Sequence, residues 1–107
     1  MLRGWHAADL TEAAFAVEIT DSACSPKIDA GDIVIVEPMR SVEPGGFVAA
    51  YVDGIKTGVI RKYRPKHAID KDVFQLVSTN EDFPTIDVSR DNPGRILGRA
   101  VKVIKNL

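Results

Sequence analysis

The sequence predicts a mostly-β domain, a sandwich or barrel. Three observations lead there. Short runs either alternate apolar and polar residues or are dense in β-branched ones: FAVEIT at 15–20, DIVIVE at 32–37 and FVAAYV at 47–52. Turn chemistry separates the runs, in SVEPGG at 41–46, Asp53-Gly54, Arg64-Pro65 and DNPG at 91–94. The runs also follow one another at short spacing, which suits antiparallel strands folded onto one core.

Residues 1–14 read as an N-terminal arm. Asp9 or Thr11 is placed to cap a short helical turn, but Gly4 and the lack of a sustained period argue against a helix. Phe15 to Thr20 is the first strand, with Phe15, Val17 and Ile19 on one face. Asp32 to Glu37, bounded by Gly31 and Pro38, suits a strand buried on both faces. Phe47 to Val52 follows. Asp53-Gly54 predicts a tight hairpin turn, with Ile55 to Tyr63 as the returning strand. Val73 to Ser78 is a further strand, Thr79 to Phe83 a polar loop ending at Pro84, and Arg95 to Lys105 the last strand. Residues 15–107 carry no repeat, linker or low-complexity segment, so they form one domain.

Composition narrows the function classes. The 107 residues are 45% apolar, enough for one core and too many for a disordered chain. The net charge is −1, from 14 basic and 15 acidic residues, which is no footprint for nucleic acid across the whole domain. Cys24 is the one cysteine, so no internal disulfide forms and a reducing cytoplasm is expected. No run nears the roughly 18 apolar residues of a membrane span, and the first residues lack a signal-peptide pattern. Cys24, His6 and His67 are the soft metal ligands and share no ligand spacing, so no metal and no cofactor is expected. Arg61-Lys62-Tyr63-Arg64-Pro65-Lys66-His67 is one basic cluster, read as a solvated strand end. Glu81, Asp82, Asp87 and Asp91 are placed to balance it, within the molecule or across a dimer.

The order of short motifs carries a resemblance. A strand leads into Asp21-Ser22-Ala23-Cys24-Ser25-Pro26, then Gly31-Asp32 opens an apolar strand. Val42-Glu43-Pro44-Gly45-Gly46-Phe47-Val48 follows, then Val59-Ile60-Arg61-Lys62-Tyr63, then Asn80 with Phe83-Pro84-Thr85-Ile86, and last Ile96-Leu97-Gly98-Arg99-Ala100-Val101. Over about residues 15–105 this resembles the C-terminal domain of LexA-like and phage-repressor proteins, the S24 peptidase group. The resemblance implies a sandwich-like, partly open β-barrel. It also implies a serine nucleophile that attacks the protein's own upstream linker, with a lysine on a later strand as its base.

Aligned on Ser25-Pro26 and Gly31-Asp32, the nucleophile position falls on Ala23 and the adjacent methionine position on Cys24. The lysine position falls on Arg61. Ala23 has no hydroxyl to activate. Arginine cannot be deprotonated in a protein, so Arg61 cannot act as the base. Each replacement alone is expected to abolish the chemistry, which makes the chain a pseudo-peptidase. Three substitutes are weaker: Ser22 faces away after a one-residue shift, Cys24 packs as a small apolar group, and Lys62 lies on the opposite strand face from Arg61. The chain has no Cys-Gly bond, and its one Ala-Gly bond, Ala30-Gly31, lies within the Gly31-Asp32 motif rather than upstream of it.

The expected function is the oligomerisation and regulatory domain of a phage-type transcriptional repressor. By the resemblance, a separate N-terminal helix-turn-helix domain would contact operator DNA. The last strand, with Arg99, Val101, Val103 and Lys105, would join two chains in a homodimer or higher oligomer. Val101, Val103 and Ile104 would form its apolar edge. Without self-cleavage, an antirepressor protein is the expected off switch. Two alternatives share the fold: a self-cleaving peptidase trapped by replacement of its serine, and a UmuD-like accessory factor for error-prone DNA synthesis.

Overall fold

The β-branched and alternating runs do form strands. The computed structural model describes residues 10–55, 57–66 and 70–105. Seven strands follow in order: β1 (Phe15–Glu18), β2 (Ile33–Glu37), β3 (Phe47–Val52), β4 (Val59–Pro65), β5 (Phe74–Val77), β6 (Ile86–Val88) and β7 (Gly94–Ile104). They make one antiparallel sheet in the order β1-β2-β7-β3-β4-β5-β6, with no helix among the described residues. The end strands β1 and β6 do not pair, so the sheet stays open rather than closing into a barrel.

Alternation along β3 builds two cores. Val48, Ala50 and Val52 point to a cluster with Phe74, Leu76 and Val88, while Ala49 points to the opposite one with Ile19, Cys24, Ile28, Val34, Val36 and Ile60. The second of these clusters lies under the loop between β1 and β2, so burial of Cys24 and Ile28 ties that loop to the sheet. At about 25 cal/mol per Å² of apolar surface, a fully buried Ile28 side chain contributes on the order of 2 kcal/mol to holding it.

The structure corrects several local expectations. Val34 and Val36 are fully buried but Ile33 and Ile35 only half-buried, so β2 is covered more on one face than the other. A turn does form at Asp53-Gly54, with Gly54 at a φ of +85° and the Ile55 amide donating to the Val52 carbonyl at 3.1 Å. Yet the chain does not return at once: Val59 pairs with Ala50, and Val52 pairs with Gly94 on β7. Long-range pairing with β7 overrides the local hairpin signal. β6 was not expected at all, being three residues between Pro84 and the DNPG turn.

The last strand is not a bare edge. β7 lies between β2 and β3 in the sheet. Two bulges bend it: Leu97 is inserted opposite Ala49/Ala50, and Val101 opposite Ile35/Val36. The bulges break the simple period of two, so Ala100 and Val103 both pack on the loop-side cluster with Leu97. Beyond Arg99 the strand pairs with β2 alone.

Candidate functional site

The loop between β1 and β2 is closed at its base by a backbone pair. The Ile19 amide donates to the Asp32 carbonyl and the Gly31 amide to the Ile19 carbonyl, both at 2.8 Å. Gly31 has a φ of +93°, which a side chain would strain. Within the loop the Ser25 amide donates to the Ser22 carbonyl at 3.2 Å and the Ile28 amide to the Cys24 carbonyl at 2.9 Å. The Ser25-Pro26 peptide is cis. Ala23, at the start of this turn, is completely buried.

A second loop staples the first. The Asn80 amide donates to the Ala23 carbonyl at 3.0 Å, and the Asn80 side-chain amide to the Ser22 carbonyl at 3.1 Å. The Thr79 hydroxyl donates to the Ser25 carbonyl at 3.0 Å. Asn80 therefore satisfies the backbone on both sides of position 23, a positioning role that its place in a polar loop did not reveal. Phe83, three residues on, sets its ring 5.9 Å from the Arg61 guanidinium carbon.

Ala23 and Arg61, 38 positions apart in sequence, meet through Asp21. One carboxylate oxygen of Asp21 accepts the Ala23 amide at 3.1 Å, and the other lies 3.6 Å from Arg61 Nη2. Arg61 Nη1 donates to the carbonyl of Ile60 at 2.8 Å. The Arg61 side chain is 8% exposed, so it is a buried cation with a carboxylate partner, while its Nε is buried without a hydrogen bond. Ser22 is exposed and Lys62 half-buried.

Cys24 is a poor nucleophile in this setting. Its thiol donates to the Ile60 carbonyl at 3.2 Å. Burial pushes its pKa up, with Arg61 opposing and Asp21 reinforcing the shift, so the reactive thiolate is disfavoured. Position 23 thus presents a methyl group and position 61 a guanidinium, which is not deprotonated in a protein.

The four residues expected at a dimer contact lie on or just after β7. Arg99 Nη1 is 3.5 Å from the Ser41 carbonyl, Val101 is the half-buried inserted residue, and Val103 packs toward the core. Lys105 reaches back to the site loop, 2.5 Å from Asp32 Oδ2 and 3.2 Å from Asp29 Oδ2. The Ser25 hydroxyl donates to Asp29 Oδ1 at 2.7 Å, and the Asp29 amide to Asp32 Oδ2 at 2.8 Å. The hydrogen bond from Lys105, then that from the Asp29 amide, holds the Asp32 carboxyl below its ordinary range; the same lysine is raised above its own by Asp32. Within the basic cluster, Lys66 pairs with Asp87 at 3.4 Å, so part of the charge balance is internal. His6 and His67 lie outside the described residues, and no group of three metal-ligating side chains occurs among those described.

The open antiparallel sheet with this buried loop is consistent with an S24-like β fold. The chain belongs to the Peptidase S24-like family, whose model matches residues 4–101. A search of curated proteins returned no match. No helix among the described residues is long and apolar enough to cross a membrane.

Proposed function

We propose that this domain is the oligomerisation and regulatory module of a phage-type transcriptional repressor, with its peptidase chemistry lost. The observation that carries the reading is the pair at the dyad positions: a buried methyl at Ala23 and an arginine at Arg61 already engaged by Asp21 and the Ile60 carbonyl. Neither side chain can take part in proton transfer, so self-cleavage is not the route of inactivation, and a protein antirepressor supplies the off switch. The fold retains its value as a dimerisation unit, because two linked half-site contacts bind an operator far more tightly than one.

The β7 segment beyond Arg99 supports a twofold contact, since it pairs with one strand and Ile104 is 40% exposed. The test treats the repressor that contains this domain under conditions that trigger self-cleavage in active relatives. An intact chain is expected, and two fragments would overturn the reading. Sedimentation at micromolar concentration addresses the dimer, and a clean monomer would remove that part of the proposal.

A further inference from the structure

The Asp21 carboxylate bears on more than the packing of Arg61. It is bound at one oxygen to the backbone of position 23 and at the other to the side chain of position 61. A general base at position 61 has to be neutral to accept a proton, and an opposite charge within about 4–6 Å favours the charged form instead. We infer that Asp21 is a second, independent brake on the site, a charge-setting residue that would favour the protonated form of any amine at position 61. The inference rests on the reading of positions 23 and 61 as the lost dyad. It means that restoring serine and lysine with Asp21 in place leaves the lysine less often neutral than it is with Asp21 neutralised.

The groups facing position 61 allow the effect to be assigned. Asp21 comes from the loop after β1, with the Cys24 thiol beside it. Phe83 comes from the loop before β6, and that loop carries Glu81 and Asp82, both exposed. Lys62, next along β4, is the neighbouring cation. Of the acids, Asp21 is the one in an ion pair with Arg61 among the described residues. Asp21→Asn is the suitable change, because its side-chain oxygen still accepts the Ala23 amide and so preserves the turn.

The experiment compares two proteins, Arg61→Lys and Arg61→Lys with Asp21→Asn, by following the lysine ε-carbon resonance against pH. With Asp21 present, the pKa of the lysine at position 61 is expected to be higher by at least about half a unit, a threefold change in proton affinity. The gap should shrink at high ionic strength, because the Asp21 side chain is 42% exposed. Equal pKa values would overturn the inference. If Arg61→Lys does not fold, Arg61→His gives the same comparison near neutral pH.

A second arm adds Ala23→Ser to both proteins and measures reaction with a fluorophosphonate. In that reaction the serine oxygen bonds to phosphorus, fluoride leaves, and the serine proton passes to the neutral amine. The protein carrying Asp21→Asn is expected to react faster at pH 8, with its rate profile displaced to lower pH by the same interval as the lysine pKa. Equal rates and profiles would refute the role of Asp21. Absence of reaction in both proteins at every pH, with the pKa difference present, would instead overturn the assignment of the dyad positions and leave the charge effect standing.

Discussion

The carboxylate of Asp21 stands 3.6 Å from the Arg61 guanidinium while its other oxygen holds the Ala23 amide at 3.1 Å. One short side chain thus fixes both the turn and the buried cation. Removing either partner has unequal consequences, because Arg61 is buried and Asp21 is partly solvated.

Asp21→Ala strands the guanidinium and also frees the Ala23 amide, and is expected to cost about 1–2 kcal/mol, below the value for a fully buried pair because solvent screens Asp21. Arg61→Met leaves a carboxylate that reaches water and is expected to be closer to neutral. Urea denaturation of the two variants checks the order. A larger loss from Arg61→Met would show that the guanidinium contributes through packing rather than through its partner.

Asn80→Ala deletes the donor to the Ser22 carbonyl, at an expected cost of about 1 kcal/mol. The loss should be local. Hydrogen exchange is expected to quicken at Ile28 and Gly31, whose amides close the loop, and to stay unchanged in β3. Uniform quickening across the sheet would contradict a stapling role.

Gly98 lies where β7 crosses the end of β2. An added Cβ would meet Val36 Cγ1 at 2.8 Å, the Pro38 nitrogen at 2.9 Å and the Glu37 carbonyl carbon at 3.0 Å. Two of those atoms are backbone and cannot step aside. Gly98→Ala is expected to destabilise the domain by about 1–3 kcal/mol, seen as a lower thermal midpoint. Gly45→Ala meets no atom within 4 Å, and its cost comes from its φ of +83° alone, which is expected to be smaller.

The acid limit of stability is set by carboxylates that are bonded in the folded state. Asp32 is lowered from 3.8 chiefly by Lys105, and Glu37 from 4.5 chiefly by the Met39 amide and then by Thr11. A depressed folded-state pKa gives stability that is complete above the unfolded value and is lost as pH falls through the folded one. Lys105 is raised from 10.5, so its contribution is complete below that value and fades as pH rises past it. A plateau between about pH 5 and 10 is expected from these three groups. Lys105→Met should partly flatten the acid limb by removing the largest cause of the Asp32 shift while the Asp29 amide remains, measurable as stability at pH 3 against pH 7. An unchanged limb would separate Lys105 from the acid transition.

The loop and the strand that carry the candidate site were legible before the fold. By the family resemblance, Ser25-Pro26 and Gly31-Asp32 set the register of the loop, and matching the strand at 59–63 to the family pattern placed Arg61. Nothing in the sequence pointed to Asp21 as the partner of Arg61. It is near Arg61 only because β1 and β4 flank the same loop-side core. Asn80 was legible as part of a motif, whereas its bonds to the backbone at Ser22 and Ala23 depend on the β5–β6 loop crossing over the turn. The hairpin at Asp53-Gly54 misled because a turn specifies a local bend, and the register beyond it is chosen by which strand buries Val52.

The sequence by itself determined the class of fold, six of its seven strands, and the residue types at positions 23 and 61, one without a hydroxyl and one without a titratable base. These follow from residue types and local periodicity, which need no partner to be read. The tertiary structure alone decided that β7 lies inside the sheet, that bulges at Leu97 and Val101 turn its side chains, and that Asp21 joins Ala23 to Arg61. Those are relations between segments far apart in the chain, settled by the packing of two cores against one twisted sheet.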